Sequence, residues 1–264
     1  LGTTSNGDIV KALNEAQAGH VFQEFRDINE LPEDSGRRVL TTGGHFGYLK
    51  IAEGCDKHCT YCIIPSLRGK FRSVPEERLL AQAEYMASQG VKELILVAQE
   101  TTVYGTDLYG KKTLHILLKK LCQIKGIRWI RVLYCYPEEI YDELVLVMKE
   151  EKKICNYLDL PIQHASDRIL KRMGRRTTRK QLEDIIAKLR REIPDIVLRT
   201  SLITGFPGET QEDHEELMEF VDEMEFDRLG VFTYSPEEGT PAETMEGQVP
   251  EEVKEERRDE LMSL

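Results

Sequence analysis

The chain has 264 residues, 40% of them apolar, enough to bury one sizeable core or two small ones without disulfide support. Lys plus Arg number 36 against 47 for Asp plus Glu, and the resulting net charge of -11 repels a phosphate backbone, which argues against nucleic acid and for a cationic partner. The longest apolar runs, residues 94–98 and 145–148, are far too short to cross a bilayer and no apolar leader opens the chain, so a soluble, cytoplasmic protein without membrane contact is expected.

Residues 1–44 mix helix-like "DIVKALNEAQ" with "NELPEDSGRR" and "TTGGH", and read as a tail and linker. A regular alternation of short apolar runs and helical periods then begins, as in βα units. The runs are "GYLKIAE" (47–53), "KELILVA" (92–98), "WIRVLYC" (129–135), "NYLDLPIQ" (156–163), "DIVLRTSLIT" (195–204) and "RLGVFTY" (228–234). After the first run, Ser73 and Glu76 have capping-box spacing ahead of a stripe of Leu79, Leu80, Ala83, Met86 and Ala87 that Gly90 ends. Further helices carry Leu114, Leu117, Leu118 and Leu121; begin at Pro137; start at a Ser166 cap; open with a Thr178 and Gln181 capping box before Leu182, Ile185, Ile186 and Leu189; and turn Leu217, Phe220, Val221 and Met224 inward. The last of these belongs to a stretch, Glu209 to Asp227, with ten acids and no Lys or Arg, which reads as a solvated helix exterior. Residues 246–264 form a charged helical extension with no stop signal, and the start at Leu1 likewise reads as a cut end.

Six βα repeats fit either an open, partial barrel or a doubly wound sheet. Both gather ligands at the carboxyl ends of the strands, where the chain places its unusual loops: the cysteines, "AQETT", "PIQHAS", "GFPGET" and "YSPEEGT". One shared site is expected there. Cys55, Cys59 and Cys62 form a CxxxCxxC set within eight residues, and clustered thiols in a reducing compartment hold metal more often than they form disulfides. Closed zinc needs four ligands, with His58 the only local candidate. On an iron-sulfur cubane, three thiolates leave one iron open to a substrate or cofactor.

With Tyr61 before the last cysteine, the loop matches the CxxxCx(aromatic)C signature and the chain resembles the radical S-adenosylmethionine superfamily. The resemblance implies an α/β fold, a partial open (β/α)6 TIM-like barrel of the radical SAM type over residues 45–245. It also implies a 4Fe-4S cluster on Cys55, Cys59 and Cys62 whose open iron chelates S-adenosylmethionine. "YLKIAEGCDKHCTYCIIPSLRG", "LVAQETTVYG", "LDLPIQHASDRILKRMGR", "SLITGFPGET" and "FTYSPEEGTPA" together are similar to the methylthiotransferases. "IIPSLRGKFRS" and "EEGTPA" are similar to the branch that modifies an aspartate β-carbon of the twelfth small-subunit ribosomal protein. The alternatives are the tRNA adenosine methylthiotransferases and, in another class, a non-catalytic metal-binding module.

Carried over by motif position, Tyr61 lies near adenine, Gln99, Glu100 and Thr101 stand where the superfamily holds the methionine amino group, and Gln163 and Ser166 face ribose and methionine. Arg199 is a carboxylate partner for methionine, or else a partner of Asp159 or Glu100. Ile203, Gly205, Gly208 and Glu209 match an adenine-binding pattern, with Ser201 in place of its first glycine, and Phe232 and Tyr234 either stack near adenine or fill the core. No side chain is expected to act as a catalytic base, His164 included. The family implies an external electron donor and a second 4Fe-4S cluster in an N-terminal domain absent from this chain, with a small C-terminal domain absent as well. The spare thiols Cys122, Cys135 and Cys155 sit on a helix stripe, a strand exit and a strand entry, and cannot converge to replace that cluster.

Overall fold

The computed structural model describes residues 1–31 and 39–264; most of the "LPEDSGRR" linker lies outside the described residues. The helix-like N-terminal stretch forms α1 (Ile9–Gln17), followed by β1 (Phe46–Lys50), β2 (Ala52–Glu53), α2 (Ile64–Arg68), β3 (Arg72–Ser73) and α3 (Glu76–Ser88). Next come β4 (Glu93–Val97), α4 (Thr106–Tyr109), α5 (Leu114–Cys122), β5 (Trp129–Val132), α6 (Asp142–Glu150), β6 (Ile154–Asp159), α7 (Asp167–Arg172) and α8 (Arg179–Glu192). The chain closes with β7 (Val197–Thr204), α9 (Gln211–Met224), β8 (Arg228–Thr233) and α10 (Glu251–Ser263).

Six strands form one parallel sheet in the order β1-β4-β5-β6-β7-β8, and β2 and β3 pair separately as a short antiparallel ladder. The order never reverses. A doubly wound sheet turns back at a switch point, whereas strands added always on the same side keep every crossover helix on one face and curl the sheet into a barrel. The two edges, β1 and β8, do not pair, so the architecture is the open partial (β/α)6 barrel.

Side-chain alternation gives the sheet two unlike faces. Leu49, Leu94, Leu96, Ile130, Val132, Leu158, Leu198, Leu202 and Val231 are buried in one core with the apolar faces of α3, α5, α6, α8 and α9. Tyr48, Lys50, Arg131, Arg199 and Phe232 occupy the alternate positions and stay exposed or half-exposed. The helix stripes therefore supply what the inner face does not: Leu114, Leu117, Leu118 and Leu121 are fully buried, and truncating such a leucine costs about 2–5 kcal/mol.

Several local expectations need correction. Ser73 does not cap α3; its hydroxyl donates to Asp107 Oδ1 at 2.6 Å and accepts from the Gly105 N–H at 2.9 Å, while Pro75 stands at the cap. Pro137 opens a 3-10 turn, Pro137–Glu139, and the α-helix begins only at Asp142. Ser166 does occupy the α7 cap position, but its hydroxyl donates to Asp213 Oδ1 at 2.7 Å rather than capping the helix. The Thr178 and Gln181 capping box forms, and a second one, Thr210 with Asp213, opens α9. The acidic stretch is not simply solvated, since Arg179 of α8 reaches Glu216, Glu219 and Glu223. At the other end, α10 packs on β7, β8 and α9 with Leu261 in the core.

Candidate active site

The cysteine loop leaves β1 through the β2–β3 ladder, which closes residues 54–71 into a fixed excursion. Gly54 begins it at φ +78, and a Cβ there would stand 2.1 Å from the Lys70 carbonyl, so no other residue fits the crossing. The Cys55 N–H donates to Gly69 O at 3.2 Å, the Phe71 N–H to Asp56 Oδ1 at 3.0 Å, and the Cys62 N–H to Cys59 O at 3.1 Å. The far side is pinned by the Thr60 N–H on Met173 O at 3.0 Å and the Thr60 hydroxyl on Arg172 O at 2.8 Å. Asn29 Oδ1 accepts from the Lys70 N–H at 3.0 Å, so the N-terminal segment also braces the loop.

All three thiols are unpaired; Cys55 and Cys59 are buried and Cys62 is half-buried. Burial pushes the Cys55 thiol up to about 11, with the neighbouring Cys59, Glu100 and Cys62 adding to it against the Lys57 N–H. Burial raises Cys62 as well, with Cys59 adding to it. Such thiols are poor free nucleophiles, but a metal centre supplies the positive charge that keeps a buried thiolate ionised. Among the described residues no three His, Cys, Asp or Glu side chains converge on a single ion. Thiolates on separate irons of a cubane need no such convergence. A cavity of about 240 Å³ opens beside Cys55, lined in part by Lys57, Glu100 and Glu139.

The loop after β4 brings Gln99, Glu100 and Thr101 to the same end. Glu100 is buried, and desolvation pushes its carboxyl up to about 7 against the Thr102 hydrogen bonds and the Lys57 charge. Its Oε1 accepts from the Thr102 N–H at 3.0 Å, while Oε2 is buried without a partner. Gln99 Nε2 donates to Glu53 Oε1 at 3.3 Å, and its Oε1 is likewise unpartnered. Thr101 is a loop brace, its hydroxyl 2.7 Å from Leu133 O and 2.9 Å from Tyr134 O.

Beyond β6, Gln163 adopts φ +74 and bridges to β7, its N–H on Ser201 O at 3.0 Å and its carbonyl accepting from the Ile203 N–H at 2.9 Å. His164 is fully buried, Nδ1 accepting from the Ser166 N–H at 3.0 Å and Nε2 standing 3.5 Å from Glu209 Oε2. Arg199 pairs across the sheet with Asp159, Nη1 to Oδ1 at 2.6 Å, as the register Asp159↔Arg199 dictates.

The turn after β7 is tightly built. Gly205 and Gly208 present their Cα faces to the chain's own Lys254 and Arg172 side chains. Glu209 is buried and accepts from Arg257 Nη1 of α10 at 2.8 Å. Burial alone would raise its carboxyl, but the neighbouring His164, the Gly205 N–H and the Arg257 charge hold it below the usual range. Phe206, passed over in the sequence reading, fills a small cluster with Tyr61 and Tyr234, its ring centroid 6.3 Å and 5.3 Å from theirs, and Ile203 packs on it. The Tyr234 hydroxyl is buried and unpartnered. Phe232 is 58% exposed at the edge strand and fills no core. Cys122, Cys135 and Cys155 lie apart on α5, after β5 and on β6.

A model of the Radical SAM superfamily matches residues 49–221, and the chain belongs to that superfamily, which brings a 4Fe-4S cluster and S-adenosylmethionine to a site of this kind. Within it, the chain is similar along its whole length to proteins of the RimO branch. It is 63% identical over 264 residues to the ribosomal protein uS12 methylthiotransferase RimO of Lachnoclostridium phytofermentans, covering 100% of this chain and 60% of that one. The RimO of Desulfitobacterium hafniense is 51% identical over 265 residues, again 100% of this chain and 60% of the relative. The chain thus spans about 60% of the length of these relatives. Among solved structures, coproporphyrinogen III oxidase (HemN) of Escherichia coli is 18% identical with a TM-score of 0.57, covering 83% of this chain and 51% of that one. Methylornithine synthase (PylB) is 14% identical with a TM-score of 0.58, covering 84% and 64%. These two share the fold.

Proposed function

We propose that the chain is the radical core of an enzyme that methylthiolates an aspartate β-carbon of ribosomal protein uS12. The observation that carries the reading is the loop itself: three unpaired, desolvated thiols, braced by hydrogen bonds on both flanks, at the carboxyl end of a parallel barrel. Cys55, Cys59 and Cys62 would hold the cluster, leaving one iron for the amino and carboxylate groups of S-adenosylmethionine. Bound there, the pair supplies a 5'-deoxyadenosyl radical when an external donor delivers an electron.

The chain's own residues orient that chemistry. Gln99 Oε1 and Glu100 Oε2, buried acceptors without protein partners, suit the methionine ammonium, and Tyr61 with the buried Tyr234 hydroxyl suits the adenine side. Arg199 is half-exposed on the inner face, paired with the buried Asp159, and its guanidinium suits a carboxylate. Gln163 and Ile203 shape the wall, while Ser166, Gly205, Gly208 and Glu209 support it from behind through Asp213, Lys254, Arg172 and Arg257. We assign residues 1–44 to a linker from an N-terminal domain carrying a second 4Fe-4S cluster, 45–245 to the barrel, and 246–264 to an extension towards a C-terminal domain. A basic ribosomal protein suits the charge of -11, and a cytoplasmic setting suits unpaired thiols. RimO relatives favour this substrate over tRNA.

The test is anaerobic reconstitution of this chain, reduction by dithionite with S-adenosylmethionine, and assay for 5'-deoxyadenosine beside Cys59→Ala. Cleavage confined to the parent supports the reading; tight zinc with no cleavage overturns it. The full-length protein, offered uS12 and tRNA in parallel, decides the substrate.

A further inference from the structure

The turn that follows α7 is fastened to the cysteine loop. Thr60 holds both Arg172 O and Met173 O, and Gly174 crosses so close to the loop that a Cβ would stand 2.6 Å from His58 O. The crossing delivers the next residue, Arg175, into the interior beside the loop, its side chain 1% exposed.

Protein partners account for only part of that guanidinium. Its Cζ lies over the Tyr136 ring, 4.3 Å from the centroid, Nη2 donates to Pro161 O at 3.0 Å, and Glu138 stands 4.0 Å away. Nε and Nη1 are buried with no acceptor, an expensive arrangement for a cation. The same Tyr136 also reaches the cysteine loop. Tyr136 Oη lies 3.8 Å from Cys59 Sγ.

We propose that Arg175 directs its unpartnered N–H groups at the sulfur of the cluster bound through Cys59, and that this buried cation makes the cluster easier to reduce. The inference rests on the assignment of a 4Fe-4S cluster to Cys55, Cys59 and Cys62. Reduction adds one electron to a centre already carrying thiolate charge. A fixed cation and N–H···S hydrogen bonds in a dry site favour the reduced form, since cluster potentials follow net charge, hydrogen bonding to sulfur and exposure. Contact with Tyr136 and the bond to Pro161 O would occupy one ring face and one nitrogen, and leave the other two nitrogens unexplained.

The experiment uses this chain, reconstituted with iron and sulfide, with arginine alone labelled by ¹⁵N. After dithionite reduction, pulsed electron paramagnetic resonance should find a ¹⁵N hyperfine coupling to the cluster that disappears in Arg175→Lys. In Arg175→Gln, a mediator titration should move the midpoint potential negative by at least tenfold in the one-electron equilibrium, about 59 mV. A reduced cluster in the parent with no ¹⁵N coupling overturns the role of Arg175 while leaving the cluster assignment intact. Equal potentials for parent and Arg175→Gln, at equal iron content, do the same. A parent chain that binds no iron-sulfur cluster overturns both. Should Arg175→Gln fail to fold, the loss or persistence of the coupling in Arg175→Lys still decides.

Discussion

Arg257→Met removes the cation that α10 sends into the barrel. Glu209 Oε1 accepts from Arg257 Nη1 at 2.8 Å, and the two side chains are 0% and 8% exposed, so the substitution strands a carboxylate that water cannot reach. Breaking one partner of a buried pair costs about 3–5 kcal/mol, because the remaining charge keeps its desolvation penalty without the compensating attraction. In a chain of about this size each kcal/mol moves the melting temperature by about 2–4 °C, so the expected drop at pH 7 is on the order of 6–20 °C. The pH dependence follows from the direction of the Glu209 shift. Its folded carboxyl is held low by His164, the Gly205 N–H and Arg257 against burial, so the stability it contributes is present above the ordinary carboxylate range and is lost as pH falls through the folded value. In Arg257→Met the carboxyl takes up a proton more readily, and the gap to the parent should narrow as the pH drops towards 4. Differential scanning calorimetry of both proteins from pH 8 to pH 4 measures this. A melting temperature unchanged within about 2 °C at pH 7 would refute the reasoning, since it would mean that water or another cation reaches Glu209.

Asp213 is held down to about 2: burial would raise it, but Arg168, Thr210 and Ser166 hydrogen bonds lower it. Asp213→Asn should cost about 1–2 kcal/mol at pH 7, Arg168 being half-exposed and screened, and the difference from the parent should fade as pH falls from about 4 towards 2 in urea titrations. Thr178→Ala removes the α8 capping box and should cost about 1 kcal/mol by the same titration, with no change in iron content. Leu117→Ala should cost about 2–5 kcal/mol by calorimetry, through the cavity it leaves between α5 and the sheet. Asn29→Ala breaks the brace on Lys70 and should slow cluster assembly, measured as iron bound per chain against time, while leaving the melting temperature within about 2 °C.

Where one face of an element is buried, the sequence is enough to find it. The α5 stripe and the alternation in β7 are written in residue type because the solvent boundary repeats with the period of the backbone. The cysteine loop was legible for a different reason, since three thiols at that spacing have few other uses. Failures occur where a local pattern was diverted by a distant partner. Ser73 and Glu76 have capping-box spacing, but Asp107, 34 residues away, takes the Ser73 hydroxyl. Ser166 loses its capping role to Asp213 in the same manner, 47 residues on. Arg175 is one of several basic residues in "LKRMGRR", and nothing in that run says that this one turns inward. Its burial is set by Gly174 crossing His58, a contact between segments more than a hundred residues apart. The Asp159 and Arg199 pair could be raised as a possibility from sequence but needed the β6–β7 register to be placed.

The polar inner face follows from the open topology. A closed eight-stranded barrel must fill its interior with packed side chains, because no solvent reaches it. Six strands with unpaired edges leave the concave side reachable, so Lys50, Arg131 and Arg199 can keep their charges there, each beside an acid: Glu53, Glu93 and Asp159. Stability is then drawn almost entirely from the helix side, where the six parallel strands share one core with the surrounding helices. The division leaves the inner face free to carry charge and aromatic surface instead of core packing, within reach of the strand ends that hold the cysteine loop. In each pair the cation is the half-exposed partner, while Glu53 and Asp159 are buried and keep their need for a positive charge. A ligand carboxylate that joined the exposed side of such a cation, leaving the buried acid paired, would meet a small energetic penalty, whereas one that displaced a buried leucine would not.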